Sequence, residues 1–369
     1  MSKTKSTNLI KETNKLGQSI WLDSLSREMI DSGDLENLIS NGISGITSNP
    51  TIFEKAISSS NLYDSQIKGL IKNGEKNSEN IFTHLAVEDI QKASDLLMAT
   101  YINSGKKDGF VSIEVNPQLA FNSKQSIDEG KELFSRISRP NVMIKIPGTN
   151  KGMLAITTLI SNGINVNVTL LFSRKMYREA AKAYIKGLKI RKENGFDDLE
   201  NISSVASFFI SRIDTQVDKN LPSESNLKGK AAISNAKLAY KDSLELFKTR
   251  EFEELSESGA NVQRLLWAST SVKDLSFRDV MYVENLIGKN TVNTLPLDTI
   301  FAFLDHGISK NTLEKNIPES SEIINALQSQ NINFEEITSK LLIDGVTQFE
   351  DSYKSLINGL EDKFFAKNK

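Results

Sequence analysis

Cysteine is absent from the 369-residue chain, and histidine occurs only at positions 84 and 306. The first absence excludes disulfides, thiolate nucleophiles, iron–sulfur clusters and cysteine zinc sites. Two histidines cannot build a multi-histidine metal centre, so only a carboxylate site for Mg²⁺ stays open on these counts. The chain also lacks a basic excess, since 45 Lys and Arg stand against 47 Asp and Glu. We therefore expect no nucleic-acid partner, because such proteins usually carry clear positive charge.

Long apolar runs are missing as well. No stretch reaches the ~18 consecutive apolar residues that a membrane-spanning helix needs. Residues 1–16 are polar and lysine-rich, without the apolar segment of a secretory signal. We therefore expect a protein of a reducing compartment that makes no membrane contact, with the cytoplasm as its default location.

Short apolar or β-branched runs, separated by helical patterns such as 80–104 and 173–194, make up most of the chain. Eight alternating strands predict an α/β fold of the (β/α)₈ TIM-barrel type, because a doubly wound sheet usually has five or six strands. The predicted strands cover 19–23, 45–49, 109–115, 142–146, 165–171, 203–209, 264–269 and 291–295.

One barrel accounts for the whole length, since α/β barrels of this size form single units. We predict one domain over residues 1–369, without internal repeats or low-complexity linkers. Within it, residues 1–17 form an N-terminal extension, and residues 319–369 form terminal helices that pack on the barrel.

Lys145 is the most informative polar residue, because it lies in the apolar run 142–147 near the end of the fourth predicted strand. Functional groups of such barrels lie at the carboxyl ends of the strands. The lysine either extends outward to solvent or points into the barrel. If it points inward, desolvation disfavours the ammonium form, and a neutral amine can form a Schiff base with a carbonyl substrate.

Other polar residues stand at or near predicted strand ends, although barrel interiors are mostly aliphatic. Asp23 and Glu114 are candidates for the acid and base of carbon–carbon bond cleavage, or for salt bridges and helix caps. The remaining polar residues of this group are Asn49, Asn167, Thr169, Ser207 and Arg212.

Taken in order, these segments resemble the transaldolase family, the bacterial type of Schiff-base-forming class I enzyme, over residues 18–307. Several motifs in the same order on different strands form a stronger signal than any one of them. The matching segments are IWLD at 20–23, GITSNPT at 45–51, VSIEV at 111–115, MIKIPGT at 143–149, INVNVTLLFS at 164–173 and SFFISRID at 207–214.

The resemblance implies chemistry for most of these residues. Lys145 is the Schiff-base lysine, and Asp23 takes a hydroxyl proton during aldol cleavage. Glu114 relays protons through a water held partly by Thr169. The substrate hydroxyls or the dihydroxyacetone moiety are bound by Asn49 and Asn167.

The resemblance also implies a phosphate site, in which Arg212 acts with Ser207 and Ser269. Many transaldolases carry a second arginine two residues after that last serine, where this chain has Ser271. Lys273 either supplies the missing charge, without the fork of an arginine, or is a solvent lysine.

The implied reaction is the reversible transfer of a dihydroxyacetone unit from sedoheptulose 7-phosphate to glyceraldehyde 3-phosphate, in the non-oxidative pentose phosphate pathway. It needs no metal and no organic cofactor, and the chain is expected to act on sugar phosphates as a monomer or homodimer. One alternative is a fructose-6-phosphate aldolase that releases dihydroxyacetone. In that group glutamine tends to replace Glu114, and tyrosine replaces Phe209. The other alternative is a non-catalytic sugar-phosphate-binding barrel.

Overall fold

The computed structural model describes residues 8–364. Eight parallel strands form a closed barrel in chain order, and the eighth pairs back onto the first. The (β/α)₈ barrel predicted from the sequence is therefore confirmed. The strands are β1 (Gln18–Leu22), β2 (Gly45–Thr47), β3 (Phe110–Glu114), β4 (Val142–Pro147), β5 (Asn165–Leu171), β6 (Ser204–Phe209), β7 (Arg264–Ala268) and β8 (Thr291–Leu295).

Helices connect the strands and surround the barrel, and two of them follow the last β/α unit. Among residues 8–364 none combines the length and apolar character that crossing a lipid bilayer requires. The helices are α1 (Leu9–Lys15), α2 (Arg27–Asp31), α3 (Asp34–Ser40), α4 (Pro50–Ser58), α5 (Asp64–Lys72), α6 (Ser78–Asn103), α7 (Ser123–Ile137), α8 (Gly152–Ser161), α9 (Arg174–Glu193), α10 (Ser211–Val217), α11 (Ala231–Leu246), α12 (Arg250–Ser256), α13 (Met281–Asn285), α14 (Leu297–His306), α15 (Ile317–Ser329) and α16 (Phe334–Phe364).

Strand β2 is shorter than predicted, because its last two predicted residues make other hydrogen bonds. The Ser48 hydroxyl donates to the backbone carbonyl of Ser112 over 2.7 Å. Asn49 caps the N-terminus of α4, since its Oδ1 accepts from the Ile52 N–H at 3.0 Å and Pro50 occupies the first helical turn. Strand β2 therefore ends at Thr47, and α4 begins at Pro50.

The central strands β4, β5 and β6 are buried along their whole length, as parallel strands covered by helices usually are. Their register sets polar residues side by side, because Glu114 pairs with Lys145 and Lys145 pairs with Asn167. Three polar side chains therefore come from one level of three adjacent strands.

Helix α16 follows the last β/α unit in the chain and packs against α4, α6 and α10. Its buried residues include Phe349, Tyr353 and Leu356. Helices α15 and α16 occupy the region predicted as terminal helices, and α1 occupies much of the predicted N-terminal extension. The outer parts of those two predictions, 1–7 and 365–369, lie outside the described residues.

Candidate active site

A cavity of about 210 Å³ lies at the carboxyl ends of the strands. Most of the site residues predicted from the sequence line it, namely Asp23, Asn49, Lys145, Thr169, Ser207, Arg212, Ser269 and Lys273. The structure brings these groups together because all parallel strands of a closed barrel end on the same face. Glu114 contacts the cavity lysine, whereas Asn167 lies away from the cavity wall.

Lys145 points into the barrel. Its Nζ donates to the backbone carbonyl of Ser48 at 2.9 Å and lies 3.3 Å from Oε2 of Glu114. Only 6% of the lysine side chain and 2% of the glutamate side chain are exposed. This geometry decides between the two orientations left open by the sequence, and it places an amine beside a carboxylate out of bulk water.

Glu114 is held mainly by that ion pair. Among residues 8–364, neither of its carboxylate oxygens has a hydrogen-bond partner, and the same holds for the buried hydroxyl of Thr169. Burial raises the pKa of Glu114, Lys145 opposes this rise, and the charge of Asp23 adds to it. A carboxyl in such surroundings can exchange a proton with the amine next to it.

Asp23 follows β1 directly and accepts a hydrogen bond from the Thr47 hydroxyl at 2.7 Å. That hydroxyl also lies 2.7 Å from the hydroxyl of Thr294 on β8. Burial raises the pKa of Asp23, while the Thr47 hydrogen bond and the charges of Lys145 and Arg212 lower it. The second carboxylate is thereby held in the cavity wall in an environment that favours uptake of a proton.

Arg212 lies in the first turn of α10. Its guanidinium lies 5.3 Å from the ring centre of Phe209. Burial lowers the pKa of Arg212, whereas Asp23 raises it. Ser269, beside it in the cavity wall, has a left-handed backbone with φ of 56°, and its hydroxyl lies 3.0 Å from that of Ser211. A guanidinium fork next to hydroxyl groups suits the oxygens of a phosphate.

Lys273 lies on the loop after β7 and reaches the rim of the same cavity. Its exposed ammonium donates to the Ser271 hydroxyl at 2.8 Å. Ser271, which stands where the family pattern has an arginine, is therefore in contact with Lys273. Both uses of Lys273 that the sequence left open fit this position.

The two predicted asparagines are placed differently. Asn49 lines the cavity, and because its Oδ1 caps α4, its Nδ2 is the group it can offer to a ligand. Asn167 is fully buried. Its Nδ2 donates to the Ser112 hydroxyl at 3.0 Å, and its Oδ1 accepts from the Ser207 hydroxyl at 2.7 Å. Asn167 orients Ser207 in this structure, and its direct contact with substrate stays a prediction.

Other cavity residues were not assigned to the site from the sequence. Phe349 on α16 lies with its ring centre 5.9 Å from the Lys145 Nζ. The helical spacing of apolar residues in this segment predicts that the helix packs on the barrel. No local pattern indicates that the Phe349 ring reaches the Lys145 amine. Thr47 lies inside the matching segment 45–51, so the motif contained a signal for it, whereas Thr294 had none.

Comparison with known proteins agrees with this geometry. Residues 20–360 match the family model described as transaldolase/fructose-6-phosphate aldolase. A transaldolase of Trichodesmium erythraeum is 46% identical, with 97% of this chain and 98% of that protein covered. Transaldolase 2 of Nostoc punctiforme is 44% identical over 97% and 98%, and a transaldolase of Neisseria gonorrhoeae is 41% identical over 95% and 98%. The chain belongs to the transaldolase/fructose-6-phosphate aldolase family.

Proposed function

We propose that the protein is a transferase that catalyses the transaldolase reaction through a Schiff base on Lys145. It moves a dihydroxyacetone unit from sedoheptulose 7-phosphate to glyceraldehyde 3-phosphate, giving erythrose 4-phosphate and fructose 6-phosphate. The observation that carries the proposal is the buried Lys145 amine, 3.3 Å from the Glu114 carboxylate at the cavity. The identities of 41% to 46% with proteins named transaldolase support the same reaction.

Schiff-base formation uses the ion pair directly. The Lys145 ammonium passes a proton to Glu114, and the neutral amine attacks the ketose carbonyl carbon. In the addition product one nitrogen proton moves to the alkoxide oxygen, which gives the neutral carbinolamine. Glu114 then returns its own proton, through a water held by the Thr169 hydroxyl, to the carbinolamine hydroxyl. The carbon–oxygen bond then breaks, water leaves, and a protonated imine remains on the lysine.

Cleavage of the aldol bond uses Asp23, whose pKa is raised by burial. Its carboxylate takes the proton of the C4 hydroxyl, the C3–C4 bond breaks, and the electron pair moves into the protonated imine to form an enamine. The first aldose leaves. The acceptor aldehyde then takes its place, the enamine attacks it, and Asp23 returns the proton to the new hydroxyl.

Substrate binding divides between two parts of the cavity. Arg212, with Ser207 and Ser269, binds the phosphate, and Lys273 adds a second positive charge at the rim. Asn49 and Asn167 bind the hydroxyls of the dihydroxyacetone part. For Asn167 this contact requires the substrate to displace the 2.7 Å hydrogen bond from the Ser207 hydroxyl.

The residues at two positions favour transfer over the release of dihydroxyacetone. Glu114 and Phe209 both follow the transferase pattern, and the side chain of Phe209 lies in the cavity wall. Because phenylalanine has no hydroxyl, it can neither donate a proton to the enamine nor hold a water beside it. The non-catalytic alternative is not favoured, because Lys145, Asp23 and Glu114 are all present at one site.

The setting of the reaction belongs to the same proposal. The enzyme serves the non-oxidative pentose phosphate pathway in the cytoplasm and works as a monomer or homodimer. Gel filtration with light scattering determines the assembly state.

The decisive experiment is reduction with borohydride in the presence of fructose 6-phosphate, followed by peptide mass mapping. A reduced three-carbon adduct on the Lys145 peptide is expected, and the Lys145→Ala variant provides the matched control without it. A second assay adds glyceraldehyde 3-phosphate or erythrose 4-phosphate and compares transfer with the release of free dihydroxyacetone. Folded protein that forms no adduct with fructose 6-phosphate or sedoheptulose 7-phosphate contradicts the mechanism.

A further inference from the structure

A second and smaller cavity, of about 30 Å³, borders Glu114 under helix α16. This volume accommodates about two water molecules, provided that polar groups surround them. Such groups are present, although the other walls are apolar. The polar residues of this side cavity are Ser48, Asn49, Thr83, Glu114, Asn116, Glu129 and Tyr353.

Glu114 supplies the inner end of the side cavity. Its carboxylate oxygens are buried and, among the described residues, lack hydrogen-bond partners. The main cavity reaches Lys145 but is not lined by Glu114. A water that occupies the side cavity would therefore reach the carboxylate without crossing the space that the substrate fills.

Glu129, on α7, is a half-buried carboxyl in the wall of the side cavity. Its Oε1 accepts the backbone N–H of Asn116 at 3.1 Å. Burial raises its pKa to about 7, and the carboxylates of Glu132 on α7 and Glu79 on α6 add to the rise. Tyr353 on α16 is a further titratable group close to it, and Glu114 lines the same side cavity. A carboxyl of this kind both takes up and releases protons near neutral pH.

We propose that Glu129 relays protons between solvent and Glu114 through water in the side cavity. A solvent proton binds the Glu129 carboxylate, an O–H bond forms, and that bond breaks as the proton passes to water. The water gives one of its protons to Glu114. Glu129 is a carboxylate again, and one proton has moved from solvent to Glu114 without any redox change.

The proposed relay rests on the function proposed above, and it has a defined use in that reaction. The Lys145–Glu114 pair must share one proton, because the amine has to be neutral for attack and Glu114 has to be an acid for dehydration. Once substrate fills the main cavity beneath Phe349, exchange from that side is blocked. The side cavity lets the pair correct its proton number while substrate is bound.

The test is the Glu129→Gln variant. Its carboxamide oxygen can still accept the Asn116 N–H, so only the ionisable group is removed. We expect the single-turnover rate of adduct formation, measured by borohydride quench at saturating fructose 6-phosphate, to fall at least about tenfold near pH 7. The ionisation near pH 7 should disappear from the kcat profile, and KM should stay within about twofold.

Glu132→Gln is the matched control, because it removes a neighbouring negative charge on the same helix but keeps the relay group. It should retain the wild-type rate, with the ionisation moved to lower pH. Glu129→Asp should recover part of the lost rate. Should Glu129→Gln fail to fold, Ala86→Val, which narrows the side cavity, should slow adduct formation instead.

A wild-type rate and pH profile in Glu129→Gln overturn the relay. A slow variant with the wild-type pH profile also overturns it, because a structural role alone then explains the loss. Absence of any adduct in the wild-type protein is a different outcome, and it contradicts the proposed function instead.

Discussion

Replacing Lys145 by methionine separates the stability of the buried pair from its chemistry. Methionine keeps most of the side-chain volume but removes the cation that lies 3.3 Å from Glu114 and donates to Ser48. With both side chains nearly inaccessible, the remaining carboxylate has no compensating charge. Breaking such a pair from one side costs about 3–5 kcal/mol. We expect a loss of this size in the free energy of unfolding at pH 8.

The loss should depend on pH. Burial raises the pKa of Glu114 and the Lys145 charge lowers it, so removing the lysine raises the pKa further. A carboxyl whose pKa is higher in the folded than in the unfolded protein destabilises the folded state at high pH. This loss of stability is absent below the pKa of the unfolded state and grows as the pH rises through the pKa of the folded state. Because the unfolded value is 4.5, most of the difference from wild type should vanish near pH 5.

Urea unfolding at pH 8 and pH 5 measures both effects, with wild type compared at each pH. The double variant Lys145→Met, Glu114→Gln should recover most of the stability at pH 8, because a carboxamide carries no charge. None of these variants should form the borohydride adduct. Additive losses in the double variant, or a single variant as stable as wild type at pH 8, refute this account of the pair.

Three variants test the rest of the main cavity. Arg212→Met should raise KM for fructose 6-phosphate about 10- to 100-fold, since a charge-assisted hydrogen bond contributes about 1.5–3 kcal/mol. In a parallel assay, adduct formation with unphosphorylated dihydroxyacetone should change little. Lys273→Met should raise the same KM a few-fold, and Lys273→Arg should lower it. If steady-state kinetics show no change in KM for either variant, Lys273 is a solvent lysine that does not bind the phosphate. Phe349→Leu should admit water to the lysine-bound intermediate. The ratio of free dihydroxyacetone to transferred product should then rise in a coupled assay, and an unchanged ratio means that the ring does not exclude water.

The barrel could be predicted because each β/α unit has a local signal. Along the chain, each unit repeats the same pattern: an apolar run of strand length, a polar residue at its end, and a segment with helical periodicity. This pattern is set by residues close together in sequence and depends little on distant ones. The ends of the elements were less certain. Strand β2 stops at Thr47 partly because the Ser48 hydroxyl donates to the distant Ser112 carbonyl, which the residue types alone do not reveal. The Asn49–Pro50 pair, in contrast, is a local signal for a helix start.

The main cavity could be predicted to a similar degree. Asp23, Lys145 and Arg212 follow from their places at strand ends, and the closed parallel barrel requires those ends to meet on one face. Whether Lys145 points inward was open until the ion pair with Glu114 was visible. The conformation of Ser269, with a φ of 56°, likewise depends on its tertiary surroundings.

The sequence by itself determined the fold, the family and the set of charged groups at the carboxyl end of the barrel, because these depend on short-range patterns repeated along the chain. Only the tertiary structure decided the contacts between distant segments. It turned Asn167 towards Ser112 and Ser207, brought Phe349 of α16 over the amine, and enclosed a side cavity between Glu114 and Glu129. Cavities and side-chain orientations arise from how remote elements pack together, and no local pattern specifies that packing.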